Sequence, residues 1–312
     1  MRKIVVAGSL NMDLVAVAPR IPVVGETLTG SEFLTNAGGK GANQAFAAAR
    51  LGGHVSMIGK VGSDDFGAQL VNGLREAGCD VSGIAVAPGH SGIAVIVVSQ
   101  DGKNSIVVVP GANAQFDAAQ VEASEPALAG AAILLLQLET PLPTIIAAAR
   151  LAKSHGATVI LDPAPAPEQP LPPELLANVD IITPNEVEAA HLTGRSPDRA
   201  SDSDTTATAR EIQELGVPNV VLKLGERGCL LMQDGVELRI SAPAVRAVDS
   251  TAAGDCFNAA LAVALAEGRA LGEACHAATR AASLSVTRLG AQASMPSREE
   301  LEEFLGSGDA AS

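Results

Sequence analysis

Between residues 133 and 224 the chain alternates apolar, β-branched runs with segments of helical periodicity, and this rhythm restricts the fold more than any other feature. Residues 133–138, 158–162, 180–183 and 220–224 read as strands; 143–155, 186–193 and 207–215 read as helices. Parallel neighbours in a sheet need a crossover long enough to hold a helix, so strand–helix alternation predicts a parallel sheet with helices on both faces. Runs that are apolar throughout, such as residues 3–8 (KIVVAG), suit strands buried on both sides. The expected class is therefore α/β.

The first third of the chain reads differently. Residues 14–17 continue as strand, Pro19 and Pro22 interrupt, and residues 25–30 (GETLTG) read as a turn plus a short strand. Residues 36–44 (NAGGKGANQ) open a helix that runs to about Arg50 and stops at Gly52 and Gly53. Residues 55–61 are a strand, and 68–77 a helix that ends at Gly78. Residues 93–99 and 105–109 flank Asp101 and Gly102, a hairpin signal. Strands with no helix between them predict a separate antiparallel patch, and the hairpin is its natural partner. Together they make a small sheet standing off the main body. Residues 163–173 are proline-rich and are expected to be an ordered loop after a strand end. Residues 196–206 are polar and are expected to be a mobile loop.

Composition narrows the function. With 312 residues, 47% of them hydrophobic, the chain can bury a large core. A net charge of −14 argues against a nucleic-acid partner, and the absence of Trp and Tyr, with only 6 Phe, removes base-stacking platforms. Cys79, Cys229, Cys256 and Cys275 show no C-x-x-C spacing, so buried thiols in a reducing cytoplasm are expected rather than zinc or disulfides. The N-terminal run lacks signal-peptide length and cleavage pattern, and residues 131–136 are too few to span a bilayer. A soluble cytoplasmic protein with no membrane partner is expected.

Ligands of open α/β sheets sit at the carboxyl ends of strands. The polar residues there are Asn11 and Asp13, Glu139, Asp162, Asn185 and Glu188, the loop 225–228, and Asp255 after a strand expected near 245–248. In residues 249–255 (DSTAAGD), small residues and a glycine precede an Asp and a long apolar helix. Such a loop aims backbone N–H groups and a helix dipole at an anion. Asp255 is then either an N-cap or a base beside a phosphate cradle. The glycine-rich stretch at 38–43 (GGKGAN) is not a P-loop, because Lys40 is followed by Gly41, and no dinucleotide-binding glycine pattern occurs in a strand–turn–helix context. Asn11 and Asp13 either recognise vicinal hydroxyls or stabilise a turn.

Residues 36–62 (NAGGKGANQAFAAARLGGHVSMIGKVG) and 249–265 (DSTAAGDCFNAALAVAL) resemble, in order, the two signature regions of the PfkB carbohydrate kinases. Residues 8–13 (GSLNMD), 22–30, 137–142 (QLETPL), 180–188 (DIITPNEVE) and 286–292 (VTRLGAQ) carry the resemblance across almost the entire chain. It implies one kinase domain over 1–312: a three-layer sandwich of mostly parallel sheet between helices. A small β-sheet lid is implied at about 12–36 and 91–110. The implied activity is ATP-dependent phosphorylation of a sugar, D-ribose at its 5-hydroxyl, with Mg²⁺, an activating K⁺, and a homodimer formed through the lid. By matching positions, Asn11, Met12, Asp13, Gly39, Lys40, Gly41, Ala42, Asn43, Glu139 and Asp255 hold the sugar. Asp255 is the base, and Ala252, Ala253 and Gly254 form the anion hole. Asn185, Lys223, Leu224, Gly225, Glu226, Arg227, Gly228, Gly254, Asp255 and Thr279 touch ATP, while Glu188 organises Mg²⁺. Asp249, Thr251, Ser285, Arg288, Gly290 and Ser294 surround the monovalent cation. Lys223 stands where the best-matching branch commonly has Thr, Thr279 where a histidine is often found, and Ser285 where Ala is usual. Other readings are a kinase for deoxyribose, fructose or a nucleoside, and a non-catalytic sugar-binding protein of the same fold. The last is expected to have lost Asp255 or the glycine before it.

Overall fold

The computed structural model describes residues 1–195 and 202–308. Its strands in chain order are β1 (Lys3–Ala7), β2 (Asn11–Ala18), β3 (Glu32–Gly38), β4 (His54–Gly62), β5 (Asp80–Ala87), β6 (Gly92–Ser99), β7 (Asn104–Val109), β8 (Ala131–Leu136), β9 (Thr158–Leu161), β10 (Ile181–Ile182), β11 (Asn219–Lys223), β12 (Cys229–Gln233) and β13 (Val236–Ile240). Nine form one sheet in the order β13-β12-β11-β10-β9-β8-β1-β4-β5, and four form a second, β3-β2-β6-β7. The large sheet is parallel from β5 to β11, with an antiparallel β12–β13 margin. The fold is the mostly parallel, helix-flanked α/β architecture that the alternation predicts, with a small second sheet.

Strand periodicity splits the core in two. Along β1, Ile4 and Val6 enter one apolar cluster and Val5 and Ala7 the other. The first cluster holds the helices Lys40–Arg50, Ala253–Ala266 and Leu271–Ser285; the second holds Leu142–Ser154. Helix Ala253–Ala266 buries residues on every side, so it sits between the sheet and the other two helices. Each fully buried Leu, Ile or Val contributes about 1.5–3 kcal/mol, and such residues carry a core in which Phe116 and Phe257 are the only buried aromatic side chains among the described residues. Among the described residues, no helix is long and apolar enough to cross a membrane.

The small sheet is mixed rather than antiparallel. β2–β3 and β6–β7 are antiparallel, but β2 and β6 pair in parallel. β2 continues the chain out of β1, and β6 out of β5, from the same end of a parallel sheet, so the two arrive pointing the same way. The expected short strand at 25–30 is absent. The strand lies at β3 and takes Asn36–Gly38 from the expected helix start, because the chain turns at Gly39, with φ of 88°. The expected strand at 245–248 is also absent. The ladder stops at Ile240, and Pro243 offers no donor to extend it. Of the expected loop 196–206, residues 196–201 lie outside the described residues, and 202–206 belong to helix Asp202–Glu214.

Candidate active site

A cavity of about 930 Å³ lies over the carboxyl ends of the parallel strands. Its roof is the small sheet: strand alternation turns Asp13, Ala94, Ile96, Ile106 and Val108 toward it. Its floor carries Asn11, Lys40, Asn43, Glu139, Asp162 and Asp255. Beyond Asp255 it continues past Asn185, Glu188 and Lys223 to an end lined by Ala242–Ala247 residues, Thr279, Ala282, Ser283 and Val286.

The polar end is built by close backbone packing. A Cβ on Gly39 would lie 2.6 Å from the Asn11 nitrogen, and one on Gly41 would lie 2.7 Å from the Gly8 carbonyl carbon and the Ser9 nitrogen. Only glycines let the start of helix Lys40–Arg50 press onto residues 8–11 in this way. The Ala42 N–H donates to Ser9 O at 2.9 Å. Glu139 Oε2 then accepts from Ser9 Oγ at 2.6 Å and from the Lys40 N–H at 3.1 Å. Asn113 orients Asn11, donating from Nδ2 to its Oδ1 at 2.7 Å.

Asp255 lies in the first turn of helix Ala253–Ala266 and is 5% exposed. Its Oδ2 accepts from Asn43 Nδ2 and its Oδ1 from Gln44 Nε2, both at 3.0 Å. Its carboxylate therefore faces side chains rather than capping its own helix. Ala252 enters the helix in the left-handed region, with φ of 57°, a conformation that costs an L-residue roughly 1–2 kcal/mol. The first N–H bonded back to Ala252 O is that of Cys256, at 2.9 Å, which leaves the Gly254 and Asp255 amides in the open first turn.

Burial pushes the Asp255 carboxyl up to about 6, and the nearby Asp162 adds to the rise, against Lys40, Asn43 and Gln44. Burial likewise takes Asp13 up to about 7, helped by Glu139 and Asp255. Burial alone would depress the Lys40 ammonium, but Asp255, Asp162, Glu139 and Glu188 around it hold it well above its usual range. One end of the cavity thus offers carboxylate and amide acceptors, a buried carboxyl of raised proton affinity and a cation. Asn185 and Glu188 form a capping box at helix Glu186–Thr193, in which the Asn185 N–H donates to Glu188 Oε2 at 2.7 Å. Lys223 Nζ pairs with Asp162 Oδ1 at 2.8 Å and lies 3.4 Å from where a Cβ on Gly254 would stand.

The pattern of the pfkB family carbohydrate kinases matches residues 1–298. The chain belongs to the PfkB family of carbohydrate kinases. The ribokinase of Haemophilus influenzae is 43% identical to it over 307 residues, 98% of this chain and 99% of that one. The ribokinase of Bacillus subtilis is 42% identical, covering 98% and 100%. A solved Arabidopsis thaliana ribokinase, complexed with ribose and ATP, matches with a TM-score of 0.91 at 36% identity, over 98% of this chain and 99% of that one.

In this PfkB kinase the cavity gathers Asn11, Asp13, Gly39, Lys40, Asn43, Glu139 and Asp255 at one end. Met12, Gly41 and Ala42 are buried behind it. Asn185, Lys223, Gly225, Glu226, Gly228, Thr279 and 252–254 line the other part. Leu224 is in the core, and Arg227 pairs with Glu186 at 2.6 Å. Of the residues expected around a monovalent cation, Thr251 reaches the cavity wall. Asp249 ties two loops together: it accepts from the Thr251 N–H at 2.9 Å and Oγ1 at 2.6 Å, and from the Gly290 N–H at 2.9 Å. Ser285 and Ser294 are buried, and the Arg288 side chain turns to Glu300 at 3.0 Å. Among the described residues, no three His, Cys, Asp or Glu side chains cluster as a metal site.

Sequence reasoning missed Gln44, whose bonds to two carboxylates distant in the chain leave no local signal. It also missed Ile96, Ile106 and Val108 of the small sheet, which read as plain strand residues and line the cavity only because that sheet roofs it.

Proposed function

We propose that this kinase transfers the γ-phosphoryl group of ATP to the 5-hydroxyl of D-ribose. One observation carries the reading: the buried carboxylate of Asp255 stands at the junction between a hydroxyl-binding end and an end walled by the first turn of a helix. As the sugar oxygen forms its bond to the γ-phosphorus, the bond to the bridging oxygen of ADP breaks, and Asp255 takes the hydroxyl proton. The open amides of Gly254 and Asp255 and the helix dipole meet the charge on the transferring oxygens. Asn11, Asp13 and Glu139 accept and orient vicinal hydroxyls, since a carboxylate takes two at once. The apolar end near Ala244, Val245 and Val286 takes the adenine. The ribose and ATP complex of the Arabidopsis relative supports this choice of substrates.

Two ions fit the chemistry of the residues. At the proposed K⁺ site, Asp249 would offer its carboxylate, and Thr251, Ser285, Arg288, Gly290 and Ser294 would offer hydroxyl or backbone carbonyl oxygens, hard donors of the kind that suit K⁺. This ion would fix the loop that carries the anion hole. Mg²⁺ would arrive with the nucleotide phosphates, as Mg²⁺ keeps few protein ligands, and Glu188 would orient its waters. The outward face of the small sheet exposes Phe33, Val95, Val107 and Val109, a surface that a second copy covers in the proposed lid-to-lid homodimer. The four free, buried cysteines suit a reducing cytoplasm.

The substrate reading is tested by comparing kcat/KM for ribose, 2-deoxyribose, fructose and adenosine, with the product site read by phosphorus NMR. Ribose is expected to be fastest and to yield the 5-phosphate. Faster turnover of another acceptor overturns the ribose assignment, and the absence of turnover on all four favours the sugar-binding reading.

A further inference from the structure

Asp162 closes β9 and is 2% exposed, yet it belongs to neither the sugar-binding nor the nucleotide-binding set derived above. A buried carboxylate is retained at a cost of several kcal/mol unless its oxygens are satisfied, so its partners indicate its task. They are two. Lys223 Nζ donates to Oδ1 at 2.8 Å, and Gln44 Nε2 donates to Oδ2 at 3.0 Å. The same Gln44 nitrogen donates its other hydrogen to Asp255 Oδ1 at 3.0 Å. Gln44 cannot be flipped without loss, because its Oε1 accepts from Gln137 Nε2 at 2.7 Å, and a reversed amide would set an oxygen against two carboxylates. The result is an unbroken chain from Lys223 through Asp162 and Gln44 to Asp255.

We propose that Asp162 and Gln44 are positioning residues for Asp255, Gln44 fixing the orientation of its carboxylate and the Asp162–Lys223 ion pair setting how strongly it holds a proton. The proposal rests on the reading of Asp255 as the base. The geometry supports it in two ways. Gln44 holds Oδ1, which leaves Oδ2, held only by Asn43, to turn toward the cavity. Asp162 sits one amide away from Asp255, close enough for its charge to oppose ionisation of the base, while Lys223 moderates that effect. The charged groups facing Asp255 from the packed elements are Lys40, Asp13, Glu139, Asp162, Glu188 and Lys223. Of these, only Asp162 shares a hydrogen-bonding amide with it; burial is the main cause of the rise of Asp255 above the ordinary carboxylate range, and Asp162 adds to it. Lys223 also lies beside Gly254, so an arriving phosphate draws on the same ammonium that balances Asp162. Nucleotide binding then strengthens Asp255 as a base at the moment the hydroxyl is to be deprotonated.

The test is the titration of Asp255 in the full-length kinase without ligands, followed by carboxyl-carbon NMR of labelled aspartate and assigned with Asp255→Asn. The pH dependence of kcat with both substrates saturating is measured beside it. Asp162→Asn is expected to move the Asp255 titration, and the acidic limb of kcat, down by about one pH unit. Lys223→Met is expected to move both up, and the charge-balanced Asp162→Asn/Lys223→Met variant to fall between the two. An Asp255 titration that is the same in all these proteins overturns the proposal, even where Asp255→Asn abolishes turnover. Normal turnover by Asp255→Asn instead refutes the base, and the NMR titration still reads the coupling. Should Asp162→Asn fail to fold with Lys223 left unpaired, the upward shift in Lys223→Met and its reversal in the double variant decide the question.

Discussion

Asn43 donates from Nδ2 to Asp255 Oδ2 across 3.0 Å, joining the starts of two helices whose residues lie 212 positions apart in the chain. The contact brings the glycine-rich start of one helix to the first turn of the other, and it places a neutral donor on one of the two carboxylate oxygens. Removing it by Asn43→Ala leaves that oxygen unsatisfied inside the protein. Because this hydrogen bond favours the ionised form, its loss raises the proton affinity of Asp255 further. The expected outcome is a fall in kcat of about 10–100-fold at pH 7, partly recovered at pH 8 to 9. A pH–rate profile of the purified variant checks it.

Asp13 makes a trade of stability for function measurable. Burial, Glu139 and Asp255 hold its carboxyl up at about 7, so the folded protein without ligand binds a proton there that the unfolded chain releases near pH 4. Stability from this group is present below pH 4 and declines as pH rises toward 7, the reverse of a salt-bridged aspartate. Asp13→Asn is therefore expected to raise stability without ligand at pH 8 by roughly 1–3 kcal/mol, with little effect at pH 4.5, while sugar binding weakens. Urea titrations at the two pH values read the first effect, and calorimetry reads the second.

Asp249 supplies the third prediction. It links the 249–251 loop to Gly290 and contributes the negative charge of the proposed K⁺ site. Wild-type turnover is expected to rise several-fold when K⁺ replaces a bulky organic cation. Asp249→Ala is expected to lose that response and to retain a low, cation-independent rate. Initial rates in matched chloride salts decide it, and equal rates for the wild-type protein in both salts remove the ion site.

Much of the main body was legible because its strands are buried on both faces and carry unbroken apolar runs: the runs at 133–138, 158–162 and 220–224 correspond to β8, β9 and β11. The margins were not. β5 contains Gly83 and is mostly half-exposed, so its apolar signal is diluted. The β12–β13 hairpin did have a turn signal, Asp234 and Gly235, that sequence reasoning passed over. Residues 245–248 resembled a strand locally, yet Val245 and Ala247 line the cavity as irregular chain. The strand-end rule picked out Asp13, Glu139 and Asp162, which the fold brings to one cavity; Asp255 joins them there, although the strand expected before it is absent. It gave no hint of the Gln44 bridge, because a hydrogen bond between one helix and two distant carboxylates has no local sequence pattern.

The central claim is that Asp255 is the base, and replacing its carboxylate by an amide of the same size tests it most directly. In Asp255→Asn, calorimetry is expected to show ribose binding within a few-fold of wild type, because most of the proposed sugar contacts come from other residues. Turnover in a coupled ADP-release assay is expected to fall by about a thousandfold or more. Ribose binding retained together with turnover within tenfold of wild type would contradict the account.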